Sequence, residues 1–254
     1  MDFPGGWDSA ATLVDGRWVE RRPRRPEVAA RLRAEVRLMP WLAPRLPLPV
    51  PVPHVLSEIP LVVRHEIVPG EPLTQADSDA GHRLGVFLRA LHDAPRDEAL
   101  RHGIPSAEEA AEEHAATIDR FRTEVVPMLP TARRPAAVAL LGATRELSGD
   151  TLVHGDLGPE HVLADENGLT GVIDFGDTHL GDAAIDLAWA LYGTPRTFAD
   201  AVATAYDVTG GQRERALRWH QLGPWHEVTH GLDTADPDTV RSGLDGVVTR
   251  LTEQ

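Results

Sequence analysis

The sequence predicts an α+β fold of two lobes, a small antiparallel sheet followed by a mostly helical part. The first reason is a pair of short alternating segments, 11–14 and 17–21, joined by Asp15-Gly16, which is the pattern of a β-hairpin. The second is an apolar strand-like segment, 61–68, that ends at Pro69-Gly70-Glu71-Pro72. The third is the series of apolar residues at helical spacing that fills most of the chain beyond this break.

Composition and charge favour a soluble protein. The chain has 254 residues, 42% of them hydrophobic and 25% charged, so it can bury a sizeable core. It has no cysteine, no apolar run long enough to span a membrane, and an N-terminus, MDFPGGWDSA, unlike a signal peptide. A net charge of -14 argues against general nucleic-acid binding. We therefore expect a cytoplasmic monomer or homodimer that binds neither membranes nor nucleic acid.

The charge is distributed unevenly along the chain. Residues 1–66 carry ten Arg and eight acidic residues, whereas the remainder carries 15 Arg and 31 acidic residues. The first part suits nucleotide phosphates, and the second suits magnesium and a cationic substrate, although a solvated acidic surface would have the same composition. All 25 basic residues are arginines, so any side-chain cation that binds a phosphate must be an arginine.

The predicted N-terminal hairpin places an arginine on its second strand. Side chains alternate along a strand, so Arg21 shares a face with Val19. A guanidinium binds two phosphate oxygens at once, which makes Arg21 a candidate phosphate ligand; a solvated basic turn over 21–25 is the alternative. Before the hairpin, Gly5-Gly6-Trp7-Asp8-Ser9 either lays backbone amides over phosphates or forms a flexible tail.

A helix is predicted to begin at Pro26, since proline suits the first helical turn. Its apolar stripe comprises Val28, Leu32, Val36 and Met39. Glu35 lies beside this stripe, and a carboxylate on an inward face needs a partner. Its candidate partners are Arg21 and, through a surface bridge on the same helix, Arg31. The proline-dense residues 40–60 are predicted to follow as an extended connector.

Helical patterns dominate the rest of the chain. One apolar stripe comprises Leu84, Phe87, Leu88 and Leu91. Ser106 and Glu109 form a capping-box pattern, and further helices are predicted over 132–147, 198–206, 213–230 and 240–251. The cluster formed by Trp219, Trp225 and His226 either packs in the core or lines a pocket. Three isolated histidines, His92, His102 and His114, are expected to have surface or packing roles.

Two acidic motifs stand within residues 151–189, His154-Gly155-Asp156 and Asp174-Phe175-Gly176. The residues between them are typical of a β-hairpin with its turn at Asp165-Glu166-Asn167-Gly168. Such a hairpin would hold Asp156 and Asp174 at a fixed separation on one wall of a cleft. Phosphoryl transfer needs this arrangement, because one carboxylate orients the attacking hydroxyl and another holds the magnesium that neutralises the triphosphate.

The spacing of these motifs resembles that of known kinases. The protein-kinase catalytic loop reads H-R-D-x-x-x-x-N, and the position of its final metal ligand is His161 here. Together with D-F-G and the segment GDAAIDLA at 181–188, this chain resembles the aminoglycoside and macrolide phosphotransferases. The resemblance covers nearly the whole chain. It implies a two-lobed protein-kinase-like fold with a small antiparallel-sheet N-lobe and a mostly helical C-lobe.

The resemblance also implies the residues of a nucleotide site in an N-terminal lobe, residues 1–68. Arg21 and Ser9 would lie at the phosphates, with Glu35 orienting Arg21. Pro69-Gly70-Glu71-Pro72 would be the hinge between the lobes, and its backbone, with Glu66 and Val68, would meet the nucleobase. The phosphoryl donor would be ATP or GTP.

The C-terminal lobe, residues 69–254, would hold the catalytic and acceptor-binding groups. The resemblance implies that Asp156 is the catalytic carboxylate and that Asp174 and His161 bind Mg²⁺. Magnesium prefers oxygen ligands, so His161 either binds the metal directly or only hydrogen-bonds the catalytic loop. Asp182 and Asp186 are expected to hold that loop through hydrogen bonds to its backbone.

In function, the resemblance implies a kinase that transfers the γ-phosphate of a nucleotide to a hydroxyl of an aminoglycoside, a macrolide or another natural-product antibiotic, giving resistance. One alternative is a metabolic kinase of the same fold, acting on choline, homoserine or a sugar. Another is a catalytically inactive nucleotide-binding regulator, which His161 and the missing lysine favour. A protein kinase is disfavoured, because no A-P-E segment follows D-F-G at the expected distance.

Overall fold

A computed structural model describes residues 9–252 and has the α+β architecture predicted from the sequence. A four-stranded antiparallel sheet with the order β1-β2-β4-β3 forms the N-terminal side. Its strands are β1 (Ser9–Val14), β2 (Trp18–Pro23), β3 (His54–Glu58) and β4 (Leu61–Glu66). The turn between β1 and β2 places Asp15 and Gly16 at φ 53° and 65°, in the left-handed region that suits Asp-Gly turns.

The central position of β2 places Arg21 in the middle of this sheet. Arg21 pairs with Ala11 of β1 on one side and with Val63 of β4 on the other. Helix α1 (Pro26–Leu42) packs against the sheet through an apolar cluster that contains Val28 and Leu32. Because α1 follows β2 directly, its inward face lies over the strand that carries Arg21.

The predicted extended connector over 40–60 is wrong at both ends. Helix α1 continues through Pro40 to Leu42, since Leu38, Met39 and Leu42 are fully buried and hold that turn in place. A short 3-10 helix, Ala43–Arg45, follows, and residues 54–58 form strand β3. Pro69-Gly70-Glu71-Pro72, predicted to end a strand and to form the hinge between the lobes, contributes a two-residue strand, β5 (Glu71–Pro72).

The remaining strands form two small sheets around the acidic motifs. These strands are β6 (Thr151–Val153), β7 (Val162–Asp165), β8 (Gly168–Val172) and β9 (His179–Gly181). The hairpin predicted between the motifs is present as β7 and β8, and β5 extends it to a three-stranded sheet. Strand β6 pairs with β9. Asp156 follows β6, and Asp174 follows β8, so the two small sheets determine where both carboxylates lie.

Helices make up the rest of the C-terminal side. They are α2 (Ser78–His92), α3 (Arg96–Leu100), α4 (Ala107–Arg120), α5 (Arg134–Arg145), α6 (Ala184–Tyr192), α7 (Arg196–Tyr206), α8 (Gly210–Thr234) and α9 (Pro237–Arg250). The predicted stripe of α2 is fully buried, and the Ser106–Glu109 capping box begins α4. Between residues 9 and 252, no helix combines the length and apolarity that crossing a membrane requires.

Candidate active site

Arg21 connects the sheet, helix α1 and the second acidic motif. Its Nη1 donates to both carboxylate oxygens of Glu35 at 2.9 and 3.0 Å, and its Nη2 donates to Asp174 Oδ1 at 2.8 Å. Its Nε donates to the hydroxyl of Ser9 at 3.3 Å. The predicted pairing of Glu35 with Arg21 is therefore confirmed. Arg31, the alternative partner, instead pairs with Asp177 and Glu113.

The ion pair between Arg21 and Glu35 is buried inside the protein. The Glu35 side chain is fully buried, and this burial raises its pKa to about 6, while the attraction of Arg21 opposes the rise. Burial also disfavours the charged form of Arg21, but Glu35 and Asp174 outweigh it and raise the Arg21 pKa. Both groups are thus ionised at neutral pH, and Glu35 holds the guanidinium toward Asp174.

Asp174 has a strained backbone. Its φ of 64° and ψ of 71° lie in the left-handed region, which a non-glycine residue adopts at a cost. The adjacent Phe175 is buried in the core and holds this conformation. Burial favours a raised pKa for Asp174, but Arg21, with His161 and His154, more than offsets it and lowers the pKa. The Asp174 carboxylate is therefore ionised and directed at cations.

His154 joins the two acidic motifs. Its Nε2 donates to the carbonyl of Ile173 at 2.9 Å, which leaves Nδ1 to accept from the Asp156 amide at 3.3 Å. The ring packs 4.9 Å from the ring of Phe175, centroid to centroid. One buried imidazole thus connects the backbone before Asp174 with the backbone of Asp156.

Gly155 is required by the shape of the same loop. Its φ of 88° lies in the left-handed region, and a Cβ there would approach the Asp177 carbonyl to 2.4 Å. The loop therefore passes close to the turn after Asp174. This contact explains why a glycine separates His154 from Asp156.

Asp186 holds the catalytic loop as the sequence predicts. Its oxygens accept from the amides of His154 at 2.7 Å and Gly155 at 2.9 Å. His92 Nε2 also lies 3.0 Å from Asp186, and His92 Nδ1 lies 2.7 Å from the Tyr206 hydroxyl. Burial favours a raised pKa for Asp186, but the hydrogen bond and charge of His92 help to lower it.

Of the two roles expected for His92, the structure shows packing, because its side chain is buried and connects Asp186 to Tyr206. One sequence-based expectation about this network is wrong. Asp182 does not hold the catalytic loop, because its carboxylate accepts from Arg215 at 2.9 Å and from Trp219 Nε1 at 3.2 Å. Helix α2 brings His92 to Asp186 from 94 residues away in the sequence, a distance that no local motif spans.

His161 lies beside both acidic residues. Its Nδ1 is 2.6 Å from the Asp156 carbonyl, so Nδ1 carries the proton and Nε2 is left with a lone pair. Nε2 lies 3.9 Å from Asp174 Oδ2, the carboxylate oxygen that Arg21 does not contact. The Asp174 oxygen fits a Mg²⁺ ion that takes its other ligands from phosphates and water, whereas the imidazole nitrogen of His161 is a ligand that softer ions prefer. Within residues 9–252, no cluster of three or more acidic, His or Cys side chains is arranged for a metal.

The remaining predicted nucleotide residues lie along the edge between the lobes. Ser9 is the first residue of β1 and is buried, whereas residues 5–8 fall outside the described part of the chain. The carbonyl of Glu66 lies 2.8 Å from Nδ1 of the preceding His65, and its side chain pairs with Arg17. Val68 is buried against Gly171, where a Cβ would approach Val68 Cγ1 to 2.4 Å.

A cavity of about 710 Å³ lies on the other side of Asp156. It is lined by residues of α1, the catalytic loop, the turn after Asp174, and helices α4, α6, α8 and α9. Arg21, Asp174 and His161 do not line it. Of the clustered aromatic residues, Trp219 and His226 face this cavity, whereas Trp225 packs in the core.

Comparison with known proteins agrees with this geometry. The model of the phosphotransferase enzyme family matches residues 2–220. The chain belongs to this family. The phosphotransferase is 26% identical over 229 residues to the uncharacterized protein YcbJ of Bacillus subtilis (strain 168), covering 80% of this chain and 72% of YcbJ.

Solved structures show the fold of the phosphotransferase. The GDP and kanamycin complex of APH(2")-IIIa superposes with a TM-score of 0.87 at 22% identity, covering 98% of this chain and 92% of that chain. The macrolide 2'-phosphotransferase MphH from Brachybacterium faecium superposes with a TM-score of 0.73 at 23% identity, covering 97% and 90%. The predicted protein-kinase-like fold is thereby confirmed.

If Glu35 acts by orienting Arg21, their substitutions in this phosphotransferase should not be additive. Arg21→Ala should raise the KM for the nucleotide by about tenfold or more, since it removes charged hydrogen bonds, and Glu35→Gln should raise it less. The double variant should then cost less than the two single effects combined. Arg33→Ala, which removes an exposed pair with Glu58, should leave KM unchanged. Fully additive effects would show that Glu35 does not position Arg21.

Proposed function

We propose that this phosphotransferase transfers the γ-phosphoryl group of ATP or GTP to a hydroxyl of a natural-product antibiotic. The supporting observation is the position of Asp156. Its carboxylate lies 3.8 Å from His161, which stands in a cluster with Asp174 and Arg21, and Asp156 also lines a cavity large enough for a small molecule. In this proposal, residues 1–68 form the nucleotide-binding lobe, and residues 69–254 carry catalysis and acceptor binding.

The donor side supplies charge for a triphosphate. Arg21 can exchange its contact with Asp174 for phosphate oxygens, because Glu35 keeps the guanidinium in place through Nη1. Asp174 and His161 would hold Mg²⁺, which neutralises charge on the phosphates when bound. Ser9 would lie beside the same phosphates through its contact with Arg21, and the Glu66 and Val68 backbone would meet the base.

On the side of the cavity, Asp156 supplies the carboxylate that accepts the proton of the attacking hydroxyl. The pKa of Asp156 is raised, mainly because surrounding protein atoms partly desolvate its carboxylate although 63% of the side chain is exposed, and the nearby His161 and His154 only partly oppose the rise. A more basic carboxylate is better suited to accept the proton of an attacking hydroxyl. The loop that carries Asp156 is fixed by His154 and Asp186, so the carboxylate is positioned before the acceptor binds.

The direct test is a screen of donors against acceptors. ATP and GTP are each combined with aminoglycosides, macrolides and other hydroxylated antibiotics, and with choline, homoserine and sugars, and the mass of every acceptor is measured. The proposal expects at least one antibiotic to gain a phosphoryl group. Transfer only to a metabolite would replace it with the metabolic kinase. Nucleotide binding without transfer to any compound would indicate the inactive regulator.

The raised pKa of Asp156 should appear in the pH dependence of transfer. The base is active when ionised, so kcat/KM should fall as the pH drops through this pKa. Because the pKa of Asp156 is raised, the fall should occur at a higher pH than for an ordinary aspartate. The measurement is kcat/KM for the acceptor from pH 4 to pH 8 at saturating nucleotide. A profile that is flat down to the ordinary aspartate range would contradict the assignment.

The dependence of nucleotide binding on the metal ion should distinguish the role of Asp174 from the role of His161. In calorimetry with and without Mg²⁺, Asp174→Ala should remove most of the Mg²⁺-dependent gain in nucleotide affinity, since it removes a hard oxygen ligand. His161→Asn should keep that gain, because the amide offers an oxygen, and should shift metal preference from Mn²⁺ toward Mg²⁺. An unchanged Mn²⁺ to Mg²⁺ ratio in His161→Asn would assign His161 only to the hydrogen bond with the Asp156 carbonyl.

A further inference from the structure

Arg31 connects three elements at the cavity beside Asp156. It lies on α1, and its Nη1 donates to Asp177 in the turn after Asp174, while its Nη2 donates to Oε1 of Glu113 on α4 at 3.0 Å. Arg31, Asp177 and Glu113 all line the cavity. We call these two ion pairs the Arg31 bridge. One guanidinium of the protein therefore occupies two carboxylates that a ligand in this cavity would also meet.

The three side chains of the Arg31 bridge are accessible to solvent. The exposed fraction is 37% for the Arg31 side chain, 40% for Asp177 and 65% for Glu113. Ion pairs at this exposure contribute little to stability, because water solvates both partners when they separate. The Arg31 guanidinium can therefore move into solvent without leaving a buried charge unpaired.

The Arg21–Glu35 pair, one helical turn further along α1, differs in this respect. Arg31 and Glu35 stand at positions i and i+4, so they lie on the same face of the helix. The Glu35 side chain has no exposed surface and that of Arg21 has 11%, so separating them would leave buried charges without a partner. On this face of α1, the ion pair at the nucleotide cluster is fixed, whereas the Arg31 bridge is replaceable.

The turn after Asp174 is held at both of its ends. Arg21 Nη2 contacts Asp174 at the beginning of the turn, and Arg31 Nη1 contacts Asp177 at its end. If Arg31 leaves, Glu35 still holds Arg21 beside Asp174. Displacement of Arg31 should therefore change the cavity without dismantling the nucleotide cluster.

We propose that Arg31 is a specificity-determining residue that selects acceptors by charge and by where that charge lies. A cationic group of the acceptor that reaches both Glu113 and Asp177 takes over their carboxylates and displaces the guanidinium into solvent. A cation that reaches neither carboxylate gains nothing from them and meets Arg31 as a like charge. A neutral acceptor binds with the Arg31 bridge in place. This inference rests on the proposed function and names the group of the protein that competes with the acceptor.

A matched pair of probes and a matched pair of variants test the role of Arg31. Kanamycin is the cationic probe, and its fully N-acetylated derivative keeps the rings and hydroxyls without the charges. Arg31→Gln removes the competing cation, whereas Arg33→Gln removes the same charge from α1 at a pair with Glu58. Binding of each probe to the full chain is measured by calorimetry, and thermal unfolding checks that each variant folds.

Arg31→Gln should bind kanamycin about tenfold more tightly than the unmodified chain, since no ion pair has to be replaced. Affinity for the N-acetylated probe should change by less than about twofold, and Arg33→Gln should leave both affinities within the same limit. Affinity of Arg31→Gln for ATP with Mg²⁺ should also stay within about twofold, because Glu35 holds Arg21 in place.

A double variant separates competition for a carboxylate from a general effect of charge. Glu113 is the suitable partner, because its ion pair among residues 9–252 is with Arg31, whereas Asp177 also packs its carbonyl against Gly155. Glu113→Gln should weaken kanamycin binding, and adding Arg31→Gln to it should restore less than about threefold. A general field of Arg31 would instead give the same gain in both backgrounds.

The proposal is overturned if Arg31→Gln does not bind kanamycin more tightly, if Arg33→Gln gives the same gain, or if the gain persists in full without Glu113. Absence of kanamycin binding to both the unmodified chain and Arg31→Gln would also overturn it. Failure of the proposed function is distinct. Affinities in the expected order, without transfer to any hydroxyl compound, would uphold the role of Arg31 at the cavity and contradict phosphoryl transfer. Transfer with kanamycin affinities unchanged by Arg31→Gln would do the reverse.

Discussion

Asp156→Asn should lower kcat for phosphoryl transfer by roughly 10²–10⁴-fold, the range that a general base contributes. The amide keeps the size of the side chain but cannot accept the hydroxyl proton. Asp156 faces the cavity and receives no hydrogen bond from Arg21, which contacts Asp174 instead. Nucleotide affinity should therefore change by less than about twofold. The measurements are single-turnover transfer and calorimetric nucleotide binding.

The matched control for this prediction is Asp177→Asn. Asp177 also lines the cavity, but its carboxylate pairs with Arg31. We expect this variant to affect acceptor KM far more than kcat, since Asp177 does not have to accept a proton. A turnover of Asp156→Asn close to that of the unmodified enzyme would remove Asp156 from catalysis.

Asp186→Ala should have the largest effect on stability. Asp186 is fully buried and accepts from two catalytic-loop amides, with His92 as a third partner. The substitution leaves these buried groups without a partner, and the free energy of unfolding should fall by about 3–5 kcal/mol. Because the pKa of Asp186 is lowered, its contribution is complete at neutral pH and is lost only on acidification through that lowered pKa.

The same variant should also lower kcat, since the amides of His154 and Gly155 hold the loop before Asp156. Urea unfolding and transfer kinetics on the same preparation measure both effects. Tyr206→Phe is the control, because it removes the hydroxyl that contacts the far side of His92 and Gln212, leaves Asp186 and both loop amides paired, and should cost about 0.5–1.5 kcal/mol. An Asp186→Ala variant that keeps its kcat under conditions where it is folded would show that the loop does not need this carboxylate.

The predictions that succeeded from the sequence rest on short spacings. A hairpin turn at Asp15-Gly16, a capping box at Ser106, and two acidic motifs joined by a hairpin are all local patterns. The pairing of Glu35 with Arg21 was predicted from the resemblance to kinases, in which the equivalent helix supplies a Glu for the phosphate-binding cation. These features depend on residues close in sequence or on one neighbouring element.

The expectations that failed concern packing between distant elements. Pro40 remains helical because buried residues around it outweigh its missing hydrogen bond, and no local rule gives the strength of that packing. His92 could not be linked to Asp186 because α2 and α6 meet only in the folded chain. Asp182 and Asp186 both lie in the segment 181–188. Asp182 does not hold the catalytic loop, because Arg215 and Trp219 of α8 donate hydrogen bonds to its carboxylate.

The amino-acid sequence was sufficient to predict the fold class and the two catalytic carboxylates as candidates, because periodicity, turn chemistry and motif spacing are local properties. Tertiary structure decided where the cavity lies and what charge its walls carry. Trp219 and His226 lie on α8 and Arg250 lies on α9, and the packing of these two helices brings them to the same cavity. Net charge is a sum over the whole surface, whereas acceptor recognition depends on the few side chains that share one cavity.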